Sequence, residues 1–205
     1  MEIVIASKIH VKYAEIICDT IAESAAVRGT GIARRTPKYI ASKMENENAV
    51  IALDGDKFAG FCYIEKWGHG NFVANSGLIV HPNYRGLGLA KQIKTKVFEH
   101  SRNKFPEAKV FSITTGLAVM KMNSDLGYKP VPFSELTKDP VFWDGCQTCK
   151  NFDVLTRTNR NMCLCTGMLY DPDKVEDEKT KKVKDKTFNR LKKIKEALFL
   201  KKEKK

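Results

Sequence analysis

The run Gly77-Leu78-Ile79-Val80-His81-Pro82-Asn83-Tyr84-Arg85-Gly86-Leu87-Gly88-Leu89-Ala90, continuing through KQIKTKV to Val97, joins three kinds of local structure without a gap. Leu78 to Val80 is a buried apolar strand end, Arg85 to Ala90 is a glycine-broken turn, and the residues from Lys91 onward have helical spacing and no breaker. Two glycines in a turn that opens a helix let the backbone approach a ligand closely, because no Cβ intervenes. The unpaired N–H groups of the first helical turn form an anion site, and Arg85 adds a permanent cation there. A pyrophosphate suits such a loop.

Working outward, Glu2 to Ala6 reads as a short strand and His10 to Val27 as an amphipathic helix ended by Gly29 and Gly31. Thr36-Pro37 is a helix entry, Thr as N-cap and Pro at the first helical position, with a short helix to Met44. Ala49 to Leu53 and Phe58 to Lys66 are strands flanking an Asp54-Gly55-Asp56 turn, and Phe72 to Val80 is the strand entering the glycine loop. The helix from Leu87 to about Arg102, a strand at Ala108 to Thr114, a short helix at Leu117 to Ser124 and a strand near Lys129 to Phe133 complete the order β, α, α, β, β, β, α, β, α, β. Beyond Ser134 the periodicity weakens, and after Asp173 the chain turns Lys- and Glu-rich, with Phe188, Leu191, Ile194 and Leu198 at helical spacing.

The net charge is +12 over 205 residues, and half of it falls between Asp171 and Lys205. The body's modest basic excess fits a protein that holds an anionic cofactor, and it disfavours a nucleic-acid partner. The N-terminus lacks the basic start and apolar core of a signal peptide, and no run approaches the roughly 20 apolar residues that span a bilayer. A cytoplasmic protein without membrane contact is expected, with a homo-oligomer left open.

Arg85-x-x-Gly88-x-Ala90, placed between strand and helix, together with Asn123-Ser124-Asp125-Leu126-Gly127-Tyr128, resembles the GNAT N-acetyltransferases. A dinucleotide fingerprint or P-loop is disfavoured, since the further glycine of the one and the Gly-Lys-Ser/Thr ending of the other are missing. The resemblance implies an α/β (α+β) GNAT fold: a central, mixed, mostly antiparallel sheet flanked by helices. It implies a domain over 1–135, a Cys-rich extension over 136–172 that completes or packs on it, and a basic amphipathic helix over 173–205. It further implies acetyl-CoA as co-substrate, its pyrophosphate on Arg85, Gly86, Leu87, Gly88, Leu89 and Ala90 and its pantetheine arm along Leu78, Ile79 and Val80. Transfer to an amine would be direct, without a covalent enzyme intermediate.

Many members of the family carry a Tyr that protonates the leaving thiolate four residues before the glycine of that turn, where this chain has Asn123. An amide cannot serve as that acid, so Tyr128 and Tyr84 are the nearest alternatives. For the base, Glu65, His69 and His81 lie on or beside the central strands. Gly31 to Thr36, His81 to Arg85, Ile113 to Thr115 and Gly127 to Val131 together look like the acetyltransferase domain of N-acetylglutamate synthase, in a short stand-alone form. On that likeness Arg34 and Arg35 are the candidate contacts to a small amino-acid substrate, with glutamate the leading acceptor and arginine biosynthesis the setting. The alternatives are a protein or peptide N-acetyltransferase, and a zinc-containing interaction or nucleic-acid module on a degenerate scaffold.

Cys146-x2-Cys149-x13-Cys163-x-Cys165 has no counterpart in the common acetyltransferase pattern. Two thiol pairs separated by a short loop can supply a tetrahedral zinc site; buried or redox-active thiols are the other reading.

Overall fold

The computed structural model describes residues 1–28 and 33–175. The chain divides into two compact units, Met1–Tyr170 and Asp171–Lys205. The glycines expected to stop the first helix, Gly29 and Gly31, and almost all of the expected Lys-rich helix, with Phe188, Leu191, Ile194 and Leu198, lie outside the described residues.

In the first unit the order is β1 (Glu2–Ile5), α1 (Ala14–Arg28), α2 (Pro37–Glu45), β2 (Ala49–Asp54), β3 (Lys57–Trp67), β4 (Phe72–Val80), α3 (Leu89–Lys104), β5 (Lys109–Thr114), α4 (Leu117–Asp125), β6 (Lys129–Val131), α5 (Pro140–Asp144), α6 (Phe152–Arg157) and β7 (Thr166–Tyr170). The ten elements expected up to β6 are all present, with ends that differ by a few residues. The expected helix from His10 begins as a tight 3-10 turn, Lys8–Tyr13, before α1 proper. Thr36 does cap α2, its hydroxyl accepting from the Tyr39 N–H at 3.3 Å.

Seven strands form one sheet in the order β1-β2-β3-β4-β5-β7-β6. All neighbours are antiparallel except β4 and β5, which are parallel and pair only over Phe72 to Ala74 against Lys109 to Phe111. β7 was not foreseen. It enters between β5 and β6, and its Gly167 admits the neighbouring strand because a Cβ there would stand 2.9 Å from the Val131 carbonyl oxygen. The Cys-rich segment is therefore a loop-and-helix excursion that leaves the sheet after β6 and returns as β7.

Two cores cover the sheet. Ile17, Ile21, Ile40 and Met44 from α1 and α2 pack on Ile51, Phe61 and Ile79, while Leu89, Ile93 and Val97 from α3 pack on the opposite side with Val50, Cys62 and Ile64. A third cluster, around Phe111, Phe133, Trp143, Leu155 and Leu169, ties the Cys-rich excursion to β5 and β7. Among the described residues no helix is long and apolar enough to cross a membrane.

One irregularity shapes the centre. Phe61 pairs with Ile79 but Tyr63 pairs with Ser76, so two residues of β4, Gly77 and Leu78, face one of β3. This is a β-bulge. Gly77 occupies it at φ +65°, and a Cβ there would lie 2.4 Å from Cε1 of Tyr63.

Candidate active site

Beyond Ala74 and Phe111 the parallel strands part, and a cleft of about 520 Å³ opens between them. Its walls are Asn75 to Ile79 from β4 and Phe111 to Thr114 from β5, with Lys94 of α3 also reaching it. Leu78 and Ile79 thus line the cleft, and Val80 leads directly into the glycine loop. In that loop Gly86 and Gly88 adopt φ +80° and +75°, and α3 begins at Leu89. The Arg85 N–H bonds back to the Pro82 carbonyl at 3.2 Å, and the next to bond back are those of Lys91 and Gln92, both to the Gly88 carbonyl. Those of Gly86 to Ala90, between them, are left for a ligand, as an anion site requires. Arg85 is not a loose cation beside the loop: its Nε donates to the Val80 carbonyl at 3.1 Å and its Nη2 to Ser24 Oγ of α1 at 2.9 Å. The guanidinium braces the loop against β4 and α1.

At another part of the cleft wall, polar side chains converge. Arg35, just ahead of α2, donates from Nε to Tyr63 Oη at 2.7 Å and from Nη1 to the Arg34 carbonyl at 3.0 Å. Its guanidinium lies 5.6 Å and 5.9 Å from the ring centres of Tyr39 and Tyr63. Lys43 of α2 forms an ion pair with Glu65 of β3, both side chains largely shielded, and stands 4.4 Å from the Tyr39 ring centre. Burial, reinforced by Tyr63 and Glu65, lifts the Tyr39 hydroxyl well above its ordinary range; burial does the same to Tyr63. Both therefore remain protonated donors. Arg34 is exposed, and its backbone N–H donates to Thr148 Oγ1 at 3.0 Å, which holds the segment before α2 against the Cys-rich excursion. Arg34, Arg35, Tyr39 and Glu65 all line the cleft.

The remaining sequence candidates sit elsewhere. His81 packs between Phe58 and Tyr84, outside the cleft lining, with a buried Nδ1 that has no partner among the described residues. His69 forms a turn between β3 and β4, and Tyr84 Oη donates to Asp54 at 3.2 Å. Asn123 is fully buried behind Ser112, to whose Oγ its amide donates at 2.8 Å. Tyr128 is 1% exposed and donates to Asn75 Oδ1 at 2.9 Å. None of these five lines the cleft. Sequence reasoning missed Tyr39, Lys43 and Tyr63, which surround Arg35 and Glu65, and it missed Lys94. The available signal for Lys94 was a lysine one residue past Ile93, three before Val97, on the stripe of α3 that the helix buries.

Cys146, Cys149, Cys163 and Cys165 all line the cleft and lie close enough to influence one another's ionisation. Burial and the neighbouring thiols push Cys146 up to about 11 and Cys165 up to about 12. Among the described residues no group of three or more His, Cys, Asp or Glu side chains has metal-holding geometry, so the zinc expectation finds no support.

A seven-stranded mixed sheet that opens between two parallel strands, a bulged β4 and a glycine loop opening α3 form a transferase scaffold with a matching family model. Residues 30–120 match the acetyltransferase (GNAT) family. Over those residues the chain carries a GNAT acetyltransferase domain. Solved structures share the fold at low identity. N-acetylglutamate synthase from Neisseria gonorrhoeae, complexed with coenzyme A and N-acetyl-glutamate, is 12% identical with a TM-score of 0.58. That match covers 82% of this chain but only 34% of the synthase, so this chain spans about a third of its length. A Mycobacterium tuberculosis protein in complex with CoA is 15% identical over 83% of this chain and 99% of its own, TM-score 0.59. Ribosomal-protein-alanine N-acetyltransferase from Brucella melitensis is 12% identical over 83% and 99%, TM-score 0.55. No curated protein sequence matches significantly.

Proposed function

We propose that the chain moves an acetyl group from acetyl-CoA to the amine of a small amino acid, glutamate being the leading acceptor. The pyrophosphate is held at the Arg85 to Ala90 loop by the amides that follow Arg85, and the pantetheine arm lies along Leu78 to Val80. The observation that carries the acceptor reading is the convergence of Arg35, Tyr39 and Glu65 on one wall of the cleft, with Tyr63 bonded to Arg35 and Lys43 paired with Glu65. A guanidinium in a shielded site recognises a carboxylate by paired, charge-assisted hydrogen bonds, and Arg34 supplies a second cation beside it. Glu65 is the carboxylate placed to take the proton of the acceptor ammonium, directly or through one water. The fold shared with a synthase complexed with N-acetyl-glutamate agrees with such an acceptor.

Nucleophilic attack by the amine needs no enzyme thiol, so the four cysteines shape the wall and take no part in the transfer. The test is CoA release from acetyl-CoA with a panel of amino acids, short peptides and polyamines. Turnover confined to glutamate and close analogues is the expected result. Turnover on N-terminal peptides instead would move the acceptor to protein, the activity named for the Brucella relative in fold.

A further inference from the structure

Lys94 is 2% exposed, in the apolar layer between α3 and the sheet, yet its side chain reaches the cleft where β4 and β5 part. Two of its contacts are fixed: Nζ donates to Asn75 Oδ1 at 3.1 Å and lies 3.5 Å from Tyr128 Oη, with the Tyr128 ring centre 4.8 Å away. Tyr128 also donates to Asn75 Oδ1, and Asn75 Nδ2 donates to Ser101 Oγ, so the acceptor oxygen is held in place from several sides. Among the described residues no carboxylate lies within ion-pair distance of Lys94. An ammonium has three N–H donors, and the third here has no protein acceptor among the described residues. A buried ammonium without a counter-ion is costly, and it persists where an anion is to arrive or to form.

On the acetyl-CoA reading above, the anion that forms in this cleft is the thiolate of coenzyme A. Asn123, the sequence candidate before the Leu126-Gly127-Tyr128 turn, cannot give up a proton and sits behind Ser112. We propose that Lys94 is the catalytic proton donor to the leaving sulfur. The acceptor amine forms the N–C bond to the thioester carbonyl carbon, the C–S bond breaks, and its electron pair goes to sulfur. A proton then moves from the Lys94 ammonium to that sulfur, leaving CoA as the thiol and Lys94 as a neutral amine. The proton released by the acceptor nitrogen goes to Glu65 or water, and Lys94 recovers its own from solvent once the product has left.

The groups that titrate around Lys94 are suited to this. Cys62 of β3 is pushed up to about 11 by burial, and burial holds Tyr128 well above the phenol range, so both stay neutral near pH 8. Burial brings Lys94 itself down to about 8, a value at which an amine exchanges protons readily with a thiol.

The test is an ultraviolet titration of bound CoA, following the thiolate absorbance, on wild type, Lys94→Met and Lys94→Gln, with CoA binding measured calorimetrically. In the wild type the bound thiol should ionise at least one pH unit below free CoA. In both variants that shift should vanish while CoA still binds, and kcat should fall on the order of 100-fold or more with little change in KM. The wild-type kcat should also decline above pH 8 as Lys94 loses its proton, and the remaining variant activity should lack that decline. Thiol titrations that coincide in all three proteins, with CoA bound, would overturn the role of Lys94 and leave the acetyl-CoA reading standing. Failure of the wild type to bind CoA would remove that reading and this one with it.

Discussion

Arg35 shows how a single residue can be both anchored and available. Its Nε is spent on Tyr63 and one Nη on the Arg34 carbonyl, which leaves the other edge of the fork for a ligand. Lysine cannot hold Tyr63 and a carboxylate in two fixed directions. Arg35→Lys should therefore raise the acceptor KM about 10- to 100-fold, the loss of one charge-assisted hydrogen bond, and leave the KM for acetyl-CoA unchanged. Steady-state kinetics with each substrate varied in turn decides it, and an unchanged acceptor KM would reduce Arg35 to a brace for Tyr63. Arg35 and Glu65 were legible in the sequence because each is an ionisable residue beside a recognisable element. Their partners were not, because Tyr39, Lys43 and Tyr63 read as ordinary amphipathic positions until α2 is laid across β3. His81 misled for the converse reason: a histidine next to the loop in sequence is turned against Phe58 and Tyr84 in space.

At the scale of elements, the glycine loop and the β4 bulge perform different tasks, and their glycines should fail differently. Gly86→Ala places a Cβ in open space at φ +80°, so only backbone strain of about 1 kcal/mol opposes folding. The new methyl group stands among the loop amides, however, and the KM for acetyl-CoA should rise. Gly77→Ala combines the same kind of strain at φ +65° with a contact 2.4 Å from the Tyr63 ring, and should destabilise by about 3 kcal/mol. Urea midpoints of the two variants should separate accordingly, whereas equal midpoints would mean that Tyr63 gives way freely. The first four helices, the first six strands and the loop were readable from periodicity and punctuation. β7 was not, because Thr166 to Tyr170 carries no alternation and comes after a long stretch of weak pattern. It is paired on both sides, by β5 and β6, and long-range pairing of that kind leaves little local trace.

For the molecule as a whole, Lys94 links function to stability. Its pKa is about 8 when folded, against an ordinary 10.5, so between those values the unfolded chain binds more protons than the native one. The penalty is full below pH 8 and is lifted progressively as pH rises towards 10.5. A difference of 2.5 pH units corresponds to about 3 kcal/mol of lost stability at neutral pH. Lys94→Met removes the ionisable group from an apolar layer, keeps a similar volume, and leaves the Tyr128 to Asn75 hydrogen bond in place. The variant should therefore be more stable than wild type by about that amount at pH 7, while catalysing worse, as expected where a site holds a charge against its surroundings. The buried thiols and phenols, whose pKa values are raised, make stability fall with pH above about 9 in both proteins, so they cancel in the difference. Urea unfolding of the two proteins at pH 7, 8, 9 and 10 should give a gap that narrows steadily above pH 8. A gap that is absent at pH 7, or independent of pH, would show that Lys94 is not held in the native fold as a strained, titrating ammonium.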